Sequence, residues 1–212
     1  LPFDIMYAAG GTASINTKLG ATLTFAGEAR FIGDVIFKDG PGTLNLTGAG
    51  NGAYMVVREG TLQAASLGLI DMAPGTTLKP NGTLTISPTH LYVNDAFLKF
   101  DIGLDSDRIV VPDLGAVGTT TFLFTDVGGL YNGQTINLID HANPMWTGSV
   151  ANFTCPAALG KWQLSLADTG SAIVLNVIAR MDMTASPAGP FNFGTVGVST
   201  IAAAQTVTLD NI

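Results

Sequence analysis

A Gly followed within three residues by Thr and Leu recurs along the first part of this chain, at Gly20-Ala21-Thr22-Leu23, Gly42-Thr43-Leu44, Gly60-Thr61-Leu62, Gly75-Thr76-Thr77-Leu78 and Gly82-Thr83-Leu84. From Leu23 through Leu44 and Leu62 to Leu78 the steps are 21, 18 and 16 residues. A step that stays near roughly 20 residues is the period of a solenoid, in which each wind of backbone lays its strands on the previous one and buries its Leu in a shared interior. The competing all-β arrangement, a sandwich or jelly roll, puts turns every 8 to 12 residues or so without repeating such a unit.

The rest of the sequence agrees with a chain made of strands. Short runs rich in Thr, Val, Ile, Leu and Phe recur, among them Val35 to Lys38, Tyr54 to Arg58, Phe97 to Phe100, Arg108 to Val111, Trp162 to Leu166 and Ala172 to Ile178. Each is bounded by Gly, Asn, Asp or Pro, as strands between turns are. Helical periodicity is missing, because Gly interrupts almost every window long enough to show it. The expected fold class is therefore all-β, a right-handed parallel β-helix followed by a short C-terminal strand pair.

Composition narrows the function classes. Apolar residues make up 47% of the 212 positions and charged ones 12%, the opposite of a disordered chain. No apolar run is long enough for a membrane-spanning helix. The net charge of −7, with nine scattered Lys and Arg, leaves no basic patch for nucleic acid. Cys155 is alone and makes no internal disulfide or paired-thiolate metal site. Leu1 opens without an initiator Met and Leu209-Asp210-Asn211-Ile212 closes without a turn, so a piece of a longer polypeptide is expected.

The run Gly42-Thr43-Leu44-Asn45-Leu46-Thr47-Gly48-Ala49-Gly50-Asn51, followed by Gly60-Thr61-Leu62-Gln63-Ala64, resembles the autotransporter-associated β-strand repeat. The strand Phe31 to Lys38 with Asp39-Gly40-Pro41 is similar to the lead-in of that repeat, and Leu98 to Ala179 to the segment that follows it. The resemblance implies a secreted or surface-displayed bacterial β-helix and says almost nothing about activity. The expected organisation is a solenoid over residues 1–180, with its repeat core at 20–87, and a linker at 181–190, where Pro187, Gly189 and Pro190 cluster.

The C-terminal stretch is of another kind. Phe191-Asn192-Phe193-Gly194-Thr195-Val196-Gly197-Val198 and Gln205-Thr206-Val207-Thr208-Leu209 resemble the first two strands of an immunoglobulin-like domain of the choice-of-anchor type, over 191–212. Two strands cannot bury a sandwich core. Phe191, Phe193, Val196, Val198, Val207 and Leu209 are thus expected to face a partner, either a neighbouring copy receiving a donated strand or the remainder of that domain.

Side chains with chemical potential are few. Asp101, Asp105 and Asp107 beside Arg108 form the densest acidic cluster, open to three readings: a polar turn whose Asp side chains cap backbone amides, a weak calcium site, or paired carboxylates for glycoside chemistry. His90 and His141 lie in turn-like sequence and read as surface polar residues, and a Cys155–His141 pair lacks the electropositive setting that a reactive thiolate needs. Trp146, Trp162, Tyr54, Tyr92 and Tyr131 are the aromatics available to a sugar-stacking platform. They do not recur at the wind period, so Trp162 is expected in the core with Leu164 and Leu166, and Trp146 over a loop beside Pro144.

Two function classes follow. The first is an extracellular structural or adhesive module, a stiff element of a surface or fibre-forming protein, with no cofactor and no catalytic residue. It assembles through its ends and C-terminal strands with copies of itself or neighbouring domains, and any affinity for surface glycans lies in loops such as Val127 to Gly133 and Asp140 to Gly148. The second is a β-helical polysaccharide lyase or glycoside hydrolase, which needs convergent carboxylates and a cation on one lateral face.

Overall fold

A computed structural model describes residues 12–26, 35–48 and 54–180 with their side chains, and the backbone of the strands Ile5–Met6, Ala29–Arg30, Gly50–Asn51, Met183–Ser186 and Thr208–Asn211. The chain winds as a parallel β-solenoid. One sheet stacks Thr12–Asn16, Val35–Asp39, Tyr54–Val57, Leu69–Met72, His90–Asn94 and Asp113–Val117 in register, all parallel. A second stacks Thr22–Phe25, Thr43–Leu46, the first halves of Thr61–Leu67 and Thr77–Ile86, then Phe97–Gly103 and Thr120–Gly128.

The repeated leucines are the register of that second sheet. Leu23, Leu44, Leu62, Leu78, Leu98 and Phe122 stand opposite one another in successive strands, and from Leu44 onward none has exposed surface. Facing them from the first sheet, Ile36, Met55, Ile70, Leu91 and Leu114 form a second fully buried column. Each such side chain contributes about 1.5–3 kcal/mol by leaving water. A sequence step of one wind therefore becomes a lateral step of about 4.8 Å between stacked strands.

Glycines turn the corners between the two sheets. Gly60 has φ 75°, and a Cβ there would lie 2.5 Å from both the Gly40 and Gly42 carbonyl oxygens, so the motif's Gly answers both to a left-handed backbone and to the close approach of the previous wind. The fifth copy of the motif plays another part. Gly82-Thr83-Leu84 lies inside the long strand Thr77–Ile86, where the register shifts, and opens a third side of the same wind. There Leu84 pairs with Ile109 of Arg108–Val111, and Ile109 in turn with Ile139 of Gln134–His141.

On the third side, parallel stacking stops at Gln134–His141, while the second sheet gains one further parallel strand, Phe153–Thr154, beside Thr120 and Thr121. Ala172–Ala179 pairs with Gln134–His141 antiparallel, Trp162–Asp168 pairs antiparallel with Ala172–Ala179, and Ala158–Leu159 closes the meander. The expectation of a solenoid over 1–180 thus gives way near its end to a hairpin. Two alternating runs joined by Thr169-Gly170-Ser171 fold back locally, with Gly170 at φ 87° and its amide on the Asp168 carboxylate. Beyond it, Met183–Ser186 pairs antiparallel with Thr208–Asn211, so a strand occupies part of the stretch expected as linker.

Candidate functional site

The outer side of the first sheet gathers aromatic and titratable side chains from several winds. Strand alternation puts Ile70, Leu91 and Leu114 inside, and so turns Asp71, His90, Tyr92, Asp113 and Gly115 outward. Register then sets Asp71 opposite Tyr92, Tyr92 opposite Gly115, and His90 opposite Asp113. Tyr54, from an earlier wind, donates its hydroxyl to Asp71 Oδ2 at 2.5 Å. His90 Nε2 stands 3.4 Å from Asp71 Oδ1. The bond to Asp71, helped by burial, pushes the Tyr54 phenol up to about 12.

The segment after Gln134–His141 completes this face. It runs along the outer edge of Asp113–Val117 without forming a regular strand: the Asn143 amide donates to the Pro112 carbonyl at 3.0 Å, the Trp146 amide to Leu114 at 3.2 Å, and Ala116 donates back to Thr147 at 3.1 Å. Met145 consequently points to the core and Trp146 outward. The Trp146 indole lies over Gly115, where a Cβ would come within 2.5 Å of its ring carbons. It stacks on Tyr92 with ring centroids 5.5 Å apart and planes 25° apart, and meets His90 edge-on at 5.9 Å. Asn143 Nδ2 donates to Asp113 Oδ1 at 2.7 Å. His90, Asp113 and Trp146 line a cleft of about 420 Å³, and 54% of Trp146 stays exposed.

Of the five aromatics available to a stacking platform, Tyr54, Tyr92 and Trp146 therefore share one face, and Trp146, expected over a loop, lies over the sheet. Trp162 does lie in the core, at 8% exposure beside Leu164, while Tyr131 is exposed in the loop before Gln134. Asp71, Asp113, Gly115 and Asn143 carried no recognised signal. The short alternation of His90-Leu91-Tyr92-Val93-Asn94 was the clue that would have exposed this sheet and its outward positions.

The acidic cluster takes the first of its three readings in its hydrogen bonding. Asp107 is buried, and its oxygens accept the Gly82 amide at 3.0 Å and the Asp101 amide at 2.8 Å, fastening one wind to the next. Burial pushes its carboxyl above the ordinary value. Asp101 pairs with Lys79 Nζ at 2.9 Å, Asp105 is exposed, and Arg108 reaches Asp140 at 3.4 Å. Among the described residues no three His, Cys, Asp or Glu side chains gather where a metal ion could sit.

The expectation of His141 as a surface residue is wrong. It is 2% exposed, because it stands opposite Val111 at an inward position of the third side. Its Nδ1 meets the Asn143 carbonyl at 2.8 Å and its Nε2 lies 3.7 Å from Asp168. Cys155 packs against the core, and burial raises its thiol. Of the expected partner-facing residues, Phe191, Phe193, Val196, Val198 and Val207 lie outside the described residues. Leu209 stands opposite Ala185 in the terminal strand pair.

The chain matches no protein-family model and no curated protein.

Proposed function

We propose that this chain is an extracellular structural and adhesive module of a bacterial surface or fibre-forming protein, a stiff β-solenoid that holds one lateral face out for binding. The observation that carries the reading is the pair of unbroken inward columns, Leu44 to Phe122 and Ile36 to Leu114, running the length of the winding with an exposed aromatic face on the outside. Such a stack resists bending because every wind is hydrogen-bonded to its neighbours along two sheets. Resemblance of the Gly42 to Ala64 stretch to the autotransporter-associated repeat supports a surface location. Copies of the same chain, or adjoining domains of its polypeptide, are its partners in assembly.

Surface labelling of intact cells of the source organism tests this. An antibody against the module should decorate unpermeabilised cells, external protease should remove the epitope, and shed material should appear as rods or filaments in negative stain. Signal confined to the cytoplasmic fraction refutes it.

A further inference from the structure

We propose that the Trp146 face binds a neutral pyranose unit of a glycan, the sugar ring lying on the outward face of the indole with its hydroxyls turned to Asp113 and His90. The inference deepens the adhesive reading but does not depend on surface location, since it concerns only what the face recognises.

The shape of the aromatic group selects a flat ligand. Tyr92 occupies one side of the indole and Gly115 leaves the ring lying flat against the sheet, so a single broad apolar plane is presented instead of the several walls that enclose a quaternary ammonium. A pyranose offers a matching C–H face with hydroxyls at its rim. Aromatic side chains with an apolar body and a wet edge suit such mixed ligands. The adjoining cleft of about 420 Å³ falls within the roughly 300–1,000 Å³ of small-ligand sites.

The charges select among glycans. Asp113 lines the cleft with His90 and is an acceptor for hydroxyl donors, while Asp71 lies behind them, its Oδ1 buried 3.4 Å from His90 Nε2 and its Oδ2 held by the Tyr54 hydroxyl. Two carboxylates on a chain of net charge −7 repel uronates, sulfated sugars and nucleic acid phosphates. A neutral hexose polymer meets no such penalty, and its binding should be nearly indifferent to salt. The stack itself is positioned by the absence of a side chain at Gly115, which provides a variant that moves the indole without touching the ligand.

The test uses the whole chain with Trp162→Phe, which leaves Trp146 as the sole indole reporter. Dextran, mannan and soluble β-glucan oligosaccharides are titrated by fluorescence and calorimetry, with polygalacturonate as the anionic comparator. At least one neutral glycan should perturb the Trp146 emission and bind saturably in low and high salt. Trp146→Ala should weaken that binding at least tenfold. Gly115→Ala should also weaken it while the melting temperature is kept, because a strand interior accepts Ala at least as well as Gly. Failure of every neutral glycan to bind at millimolar concentration, unchanged binding by Trp146→Ala, or tighter binding of polygalacturonate overturns the proposal. A cytoplasmic location would sink the surface reading and leave these outcomes untouched.

Discussion

Lys38 is a charged residue in a core position. Its neighbours on the inward column are Ile15 before it and Val57, Met72 and Val93 after it, and it has no exposed surface. Its ammonium fills the corner between the two sheets, donating to the carbonyls of Gly40 at 2.6 Å, Glu59 at 2.8 Å and Asp39 at 3.1 Å. The Asp39 oxygen already accepts the Thr17 amide, so Gly40 and Glu59 depend on Lys38 more heavily. Burial pushes the Lys38 amine below its ordinary value, against the pull of Glu59 and Asp39.

Lys38→Met keeps the length of the side chain and removes the donors. Leaving two buried carbonyls without partners costs about 1–3 kcal/mol each. The variant recovers the desolvation of the ammonium, which is of the same order, several kcal/mol before its pairing is counted. With three carbonyls arranged around the ammonium, the donors should outweigh that recovery, for a net loss of about 2 kcal/mol. In a chain of this size that is about 4–8 °C in melting temperature. Urea unfolding followed by circular dichroism measures the difference directly. The pH dependence separates donors from charge. A folded-state pKa below the unfolded value near 10.4 means that the folded form sheds its proton first, so wild-type stability rises with pH across that window, and Lys38→Met has no such rise. The gap between the two proteins should therefore widen toward pH 10. An equal or more stable variant at pH 7, or a gap that shrinks with pH, refutes the assignment of Lys38 as a corner donor.

Two further outcomes can be checked on the same material. The difference between wild type and Tyr54→Phe in absorbance at the phenolate band should titrate with a midpoint of about 12, and Asp71→Asn should bring it back toward the ordinary value near 10, since the bond to Asp71 is the main cause of the shift. Asp107→Asn retains one acceptor where two amides need two, so it should lose about 1–2 kcal/mol at pH 7. Because burial raises the Asp107 carboxyl, the wild-type contribution is full below the unfolded value near 3.9 and is lost as pH rises through the folded one, so the deficit should be larger at pH 4 than at pH 7.

What could be read from sequence is what repeats in kind at every wind. Leu23, Leu44, Leu62 and Leu78 are the same residue at the same register, and Gly marks the corner before each, so their spacing reported the winding directly. The first sheet was mostly hidden. Val35–Asp39 and Tyr54–Val57 were legible, but in the strands that went unread outward positions such as Leu69 and Tyr92 are apolar or aromatic and half-buried by neighbours along the ladder, so the contrast between inner and outer residues that betrays a strand is blurred. His141 and Lys38 were illegible for a different reason. Each is polar at an inward position, with carbonyl partners supplied by the folded corner or turn, and no local pattern announces them.

The binding face has the same origin. A solenoid brings together residues separated by a whole wind, so a site on its flank is spelled as one or two residues per wind. Tyr54, Asp71, Tyr92, Gly115 and Trp146 are the successive contributions here, and none makes a motif with its sequence neighbours. The last of them comes from a segment with a second duty. The stretch 142–147 satisfies the exposed edge of Asp113–Val117 through only a few backbone bonds, where a full strand would supply more. An ordinary next strand would have continued the ladder. The irregular one instead leaves Gly115 bare of a covering Cβ column and lays an indole across it, so closing the edge of the sheet and building the apolar floor of the cleft are one structural event. A substitution that regularised this segment would be expected to strengthen the edge and lose the face together.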